Sequence, residues 1–298
     1  MRFAARFGNE FARTGNAMTH WYLKLRAMKQ RRIVRLPAIA ATVVLVCLAV
    51  VSFLTNTVGQ AKRRTKPSQA HSATPAELPV PFQVGEKLEY RIRWSTFLVN
   101  AATVRLTVNE RRPFYGREAW HFQALAHTID TMRLVFELDD QFDSYSEPLT
   151  LGGHQYEMYL REQGRKENVI YRMSTGNDPA PGIGTAVKVL PGTRDPIGFL
   201  HYLRTVDWQA TREVRSPVFD GKKLYEVQAH LVTESGPAEV PAGKFTASRI
   251  EIRVSERGKE VGQTRFWVWL SRDARRTPVL IEVELPFGSG RVELMRAE

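Results

Sequence analysis

Leu88-Glu89-Tyr90-Arg91-Ile92-Arg93-Trp94 alternates large apolar with charged side chains at every step, and Ala102-Thr103-Val104-Arg105-Leu106-Thr107-Val108 soon repeats the alternation. Successive side chains of an extended chain point to opposite faces, so each stretch reads as a strand with one buried face. The same period returns in Trp120, Phe122, Ala124 and Ala126, in Met132, Leu134, Phe136 and Leu138, in Tyr156, Met158 and Leu160, and in Val169, Tyr171 and Met173. Further on it resumes in Tyr225, Val227, Ala229 and Leu231, in Ile250, Ile252 and Val254, in Thr264, Phe266, Val268 and Leu270, in Val279, Ile281, Val283 and Leu285, and in Val292 with Leu294. About ten to twelve short strands joined by short turns predict an all-β antiparallel meander. Such a sheet must curl into an open or half-closed barrel, or a sandwich, to bury one face and protect its edges.

One segment breaks the period of two. Asp195 before Pro196 has the form of a helix N-cap with proline in the first turn, and Ile197, Leu200, Leu203 and Val206 then recur at helical spacing. A lone amphipathic helix between two sets of strands is expected to lie across the mouth or open face of the curved sheet. Asp220-Gly221 marks a hairpin ahead of Tyr225.

Upstream, Leu36 to Thr55 carry no charged side chain. At about 1.5 Å per helical residue this stretch matches the roughly 30 Å apolar core of a bilayer. The expected organisation is a basic arm (1–35), a transmembrane helix or signal-peptide core (36–58), a Pro-rich linker (59–80) and a β-domain (81–298). Lys24, Arg26, Lys29, Arg31, Arg32 and Arg35 hold the N-terminal flank in the cytoplasm. The β-domain is thereby expected in the periplasm, on a single-pass inner-membrane anchor. The alternative is secretion after cleavage near Ala61, where Gly59 and Ala61 offer small residues, with Met1, Met18 or Met28 as the start.

The formal charge of +12 is confined to that region. Residues 1–35 and the Lys62-Arg63-Arg64-Thr65-Lys66 patch hold thirteen bases and one acid, leaving 30 bases and 30 acids in residues 67–298. The basic excess lies beside the apolar run and is not clustered on the charge-balanced folded domain, so nucleic acid is not an expected partner. Cys47 is the only cysteine and lies in the apolar run, so the β-domain has no disulfide and no catalytic thiol.

No Gly-x-Ser-x-Gly elbow, phosphate loop, His-Glu-x-x-His or dinucleotide fingerprint occurs. His121 and His127 share a strand face opposite Trp120 and Phe122, but no third metal ligand is spaced to join them. Asp139, Asp140 and Asp143 form the densest acidic cluster; crowded carboxylates can supply an acid and a base, as glycoside cleavage requires. A solvated strand end explains them as well. No catalytic residue, cofactor or metal is expected.

Pro81-Phe82-Gln83-Val84-Gly85-Glu86-Lys87-Leu88-Glu89-Tyr90, Pro241-Ala242-Gly243-Lys244-Phe245, Trp269-Leu270-Ser271-Arg272-Asp273 with Arg276, Pro278 and Val279, and the late Gly290 and Leu294 together resemble the bacterial exported domain of unknown function 3108. The resemblance implies an exported envelope protein of a Gram-negative bacterium and brings no catalytic residues. An open barrel similar to periplasmic lipoprotein carriers is a fold-level analogy. The motifs also have structural readings: Pro241-Ala242-Gly243 as a turn, Asp273 as a cap, and Arg272, Arg275 and Arg276 solvated or paired with acids such as Glu282.

The expected function is non-enzymatic: a membrane-tethered periplasmic β-domain binding an apolar or amphiphilic envelope ligand, a lipid or lipid-linked glycan. Trp94, Trp120, Phe122, Phe136, Leu200 and Leu203 would line its concave site. One alternative is a scaffolding module, packed solid inside, that docks another envelope protein on an outer face bearing Trp267 and Trp269. A hydrolase using the aspartate cluster is a third.

Overall fold

The computed structural model describes residues 77–94, 99–133, 136–176, 181–261, 264–285 and 288–298. The apolar run at 36–58 and its flanks lie outside the described residues, among which no helix is long and apolar enough to cross a membrane.

The described residues form fourteen strands and two helices. The first half comprises β1 (Lys87–Trp94), β2 (Val99–Phe114), β3 (Arg117–Thr128), α1 (Asp130–Arg133), β4 (Asp139–Ser146), β5 (Gly153–Glu162), β6 (Arg165–Ser174) and β7 (Thr185–Lys188). After α2 (Pro196–Thr205) come β8 (Glu213–Phe219), β9 (Leu224–Val240), β10 (Gly243–Glu256), β11 (Lys259–Glu260), β12 (Arg265–Ser271), β13 (Pro278–Leu285) and β14 (Gly288–Ala297). They make one sheet in the order β7-β6-β5-β4-β3-β2-β1-β14-β13-β12-β10-β9-β8, with β11 on β10. The pairings are antiparallel except β6 with β7, which run parallel.

Strand alternation behaves as the sequence predicts. Leu88, Tyr90, Ile92 and Trp94 of β1 are buried, and Tyr90 donates its hydroxyl to the Pro278 carbonyl at 2.8 Å. At 130–138 the structure departs from the expected strand. Asp130 to Arg133 coil into a helical turn, closed by Met132 and Arg133 amides on the Ile129 carbonyl and the Phe136 amide on Met132. Arg133 then reaches Glu137 and both oxygens of Asp139, contacts an extended chain would not bring together.

The sheet's two ends, β7 and β8, are not hydrogen-bonded to each other; the connection between them closes the curl instead. Gly153 at the start of β5 donates to the Thr193 carbonyl at 2.8 Å. One residue on, the Arg194 amide donates to Pro217 at 3.1 Å and its carbonyl accepts from Phe219 at 2.8 Å, both on β8. Tyr171 of β6 meets Phe219 edge-on, with ring centroids 5.2 Å apart. Thr193 and Arg194 thus strap one margin of the open sheet to the other.

From this strap α2 crosses the concave face against β3, β4 and β8. Asp195 caps it, accepting from the Ile197 and Gly198 amides at 2.9 Å each and from the Ser144 hydroxyl of β4 at 2.6 Å. Ile197, Leu200, Leu203 and Val206 are all buried, the stripe read from the sequence. The hairpin expected at Asp220-Gly221 is present, but its turn runs Asp220 to Lys223, with Gly221 at φ +95° and the Asp220 carboxylate capping the Lys222 and Lys223 amides.

Candidate functional site

Trp94, Trp120, Phe122, Phe136, Leu200 and Leu203 all belong to one buried cluster. Phe122 stacks on His201 of α2 with centroids 3.9 Å apart, and Phe82 stands edge-on to Trp120, Phe122 and His201 at 5.1–5.4 Å. These side chains fill the concave face instead of lining an opening, because α2 supplies the apolar surface a ligand would otherwise provide. His201 donates through Nδ1 to the Ile197 carbonyl, and burial beside Arg204 drives its pKa down to about 3.

Two arginines that the sequence reading did not single out hold α2 in place. Arg204 makes a bidentate pair with Glu86, at 2.6 and 2.8 Å, and donates to the Arg275 carbonyl. Arg194 lies 3.6 Å over the Tyr202 ring, donates to the Ser216 hydroxyl and the Gly192 and Thr150 carbonyls, and has its pKa lowered to about 10 by burial. Their only sequence signal was their place flanking and within the apolar stripe of a predicted helix.

The three aspartates do not converge. Alternation along β4 sends Asp139 and Asp143 to the outer face and Asp140 to the inner one. Arg133, with His127, holds Asp139 down to about 2. Asp140 is buried, accepts from the Arg161 amide and is raised to about 6 by desolvation. Burial pushes Asp143 up, but hydrogen bonds from His121, Gln141 and Gln123 outweigh it and leave the pKa lowered. His121 and His127 take separate carboxylates, and among the described residues no three His, Cys, Asp or Glu side chains are grouped to hold a metal.

On the outer face Trp267 is buried and Trp269 partly so. Arg249 lies 4.5 and 5.4 Å from their rings, and Glu282 accepts from Trp269 Nε1 at 2.8 Å and from Arg249 at 3.3 Å. The two tryptophans are roofed by charge rather than presented as an apolar patch. Glu282 is thus the partner of Arg249, not of Arg272 or Arg276.

A concavity opens instead beside the C-terminal end of α2. It measures about 640 Å³ and is walled by Pro79 to Pro81, by Thr205 to Gln209, by Glu234 and Ser248, and by Leu270 to Ala274 with Arg276. That volume lies in the range of about 300–1,000 Å³ common to small-molecule sites. Val206, Trp208 and Leu270 contribute buried apolar surface, and Trp208 is fixed by donating Nε1 to the Leu203 carbonyl at 2.9 Å. The β12–β13 turn forms the polar wall. Asp273 accepts from the Ser271 hydroxyl at 2.9 Å and from the Arg275 and Arg276 amides at 3.0 and 3.1 Å, the cap the sequence suggested. Pro81 of one sequence motif and Leu270 to Asp273 with Arg276 of another therefore meet around one groove.

The architecture defines a class: an open, strapped β-barrel-like domain with its interior packed and a groove at one end of the strap helix. The chain belongs to the family described as Protein of unknown function (DUF3108), whose profile matches residues 89–295. No curated protein sequence matches it. Similar solved structures include a β-barrel-like protein of domain of unknown function DUF1849 from Brucella abortus, at 9% identity over 72% of this chain and 97% of that one, TM-score 0.42. Another is a Bacteroides fragilis protein described as exported, with a YmcC-like fold, at 10% identity over 75% and 100% of the two chains, TM-score 0.31. A third is described as a lipoprotein of Parabacteroides distasonis, at 10% identity over 75% and 100%, TM-score 0.37.

Proposed function

We propose that the chain is a non-enzymatic envelope protein, held at the inner membrane by its N-terminal apolar run with the β-domain in the periplasm. In this reading the groove beside α2 takes an amphiphilic envelope ligand, a lipid or a lipid-linked glycan. The observation that carries the reading is the groove itself: Pro79, Val80, Pro81, Val206, Trp208 and Leu270 line, together with the charged β12–β13 turn, a space of about 640 Å³. An apolar tail is recovered from water on one wall while a polar head stays hydrated at the other. The groove also adjoins Pro79 to Pro81, where the linker joins the domain, so its occupant sits near the segment read as leading to the bilayer.

Native mass spectrometry of the full chain extracted from envelope membranes tests the ligand. A lipid or lipid-linked glycan adduct is expected, and a bare protein mass would sink the reading. Location is tested by a reporter fused after residue 80: activity on the periplasmic side is expected, and cytosolic behaviour would remove the envelope setting altogether. The scaffolding alternative is disfavoured by Arg249 and Glu282, which cover the outer tryptophans.

A further inference from the structure

The arginines of the groove narrow the choice of ligand, given the amphiphile reading on which this inference rests. Ser271 to Thr277 form a tightly held turn: the Ser271 amide donates to the Thr277 carbonyl and the Thr277 amide returns to the Ser271 hydroxyl, each at 2.8 Å, around the Asp273 cap. Arg272 and Arg276 project from this frame and both line the groove. Each is anchored through Nη1 on main-chain carbonyls. Arg272 uses Glu234 at 2.9 Å, and Arg276 uses Arg204, Thr205 and Val206 at 3.3, 3.2 and 2.9 Å.

Carbonyl anchoring orients a guanidinium without cancelling its charge. Among the described residues Arg276 has no carboxylate within ion-pair distance, whereas Arg272 meets Glu234 at 3.3 Å. The other acids of the groove also keep their charge but direct it at backbone amides: Asp207 accepts from the Gln209 and Ala210 amides, and Asp273 from the Arg275 and Arg276 amides of the turn. A guanidinium has five N–H donors in a planar fork, so both arginines retain donors beyond their anchors. Such forks match the tetrahedral oxygens of a phosphate, which an uncharged head group cannot exploit. We propose that the groove selects a phosphate-bearing lipid, its head group held by Arg272 and Arg276 and its acyl chains against Val80, Val206, Trp208 and Leu270.

The test is a native mass spectrometric titration of the full chain in detergent micelles with phosphatidate and with diacylglycerol of the same acyl chains. Phosphatidate is expected to bind about tenfold more tightly, as two charge-assisted contacts allow. The R272Q/R276Q double variant should lose that preference while holding diacylglycerol as before, which also shows that the groove is intact; R276K, which keeps the charge, should restore part of it. R275Q, outside the groove lining, should bind as the native chain does. Equal affinities in the native chain, or a preference that survives R272Q/R276Q, would overturn the head-group inference. Displacement of phosphatidate by inorganic phosphate alone would overturn a lipid as the phosphate source. A groove-filling A274W variant separates the two levels: loss of both lipids upholds the groove reading even if the head-group preference fails, and retention of both removes the groove reading itself.

Discussion

Arg204 of α2 and Glu86, just ahead of β1, join by two hydrogen bonds of 2.6 and 2.8 Å, and both side chains are nearly sealed from water. They are 118 residues apart in sequence, so the pair ties the strap helix to the first strand of the barrel. Removing one member leaves an unpaired buried charge. E86A or R204A is expected to lower stability by about 3–5 kcal/mol, whereas E86L/R204M should recover most of that loss. Urea unfolding of the full chain in detergent, followed by tryptophan fluorescence, checks this; single and double variants of equal stability would show the pair to be dispensable.

Asp195 predicts a pH dependence. Burial raises its carboxyl to about 6 from an ordinary 3.8, so between about pH 4 and 6 the folded chain holds a proton that the unfolded chain has released. Its contribution is therefore most favourable below about pH 4 and is lost as pH rises through 6. D195N keeps an N-cap without the charge and should be more stable than the native chain at pH 7, by up to about 2–3 kcal/mol, with a shallower slope between pH 4 and 6. Asp140, also raised to about 6, keeps part of the slope. An unchanged pH profile in D195N would refute the assignment.

His201 acts in the opposite direction. Its pKa is driven down to about 3, so it stays neutral in the fold while the unfolded chain protonates near 6.5. Stability from this group is intact above pH 6.5 and falls as pH drops toward 3. H201F should preserve the stack on Phe122, cost about 1 kcal/mol at pH 7.5 for the lost bond to Ile197, and shift acid unfolding to lower pH. Acid unfolding at the native midpoint would argue against this role.

Two glycines separate backbone strain from steric clash. Gly243 has φ +132° and open space where a side-chain methyl would stand, whereas Gly184 has φ +101° and a methyl there would lie 2.5 Å from the Ile170 carbonyl oxygen. G243A should cost about 1–3 kcal/mol from conformation alone, and G184A clearly more, because a backbone atom must move. Comparable thermal shifts for the two would show that β6 and β7 yield more easily than the contact implies.

Much of this fold was legible because a half-buried antiparallel strand writes its two faces into alternate residues, and Asp195-Pro196 writes the start of a helix. The turn at Asp130 was not, since Met132, Phe136 and Leu138 keep the same parity whether or not the chain coils between them. The strap was invisible for a different reason: Thr193 and Arg194 close the sheet through main-chain atoms, which carry no residue signature. The site was half legible. Pro81, Ser271 to Asp273 and Arg276 stood out as motif residues, but their meeting depends on where α2 ends. The aromatic residues expected to line a cavity lie instead in the packed cluster beneath α2; that α2 fills that face follows from the Asp195 cap, which has a local pattern, and from the Glu86–Arg204 pair, which has none.

The proposed role stands or falls on whether an amphiphile occupies the groove in the living envelope. A photoreactive side chain placed at Gln209, on the groove wall, and separately at Glu226, exposed on β9, probes this after illumination of intact cells. A lipid-sized mass added at position 209 and absent at 226 is expected. No adduct at 209, or the same adduct at both positions, would be incompatible with a lipid held in the groove.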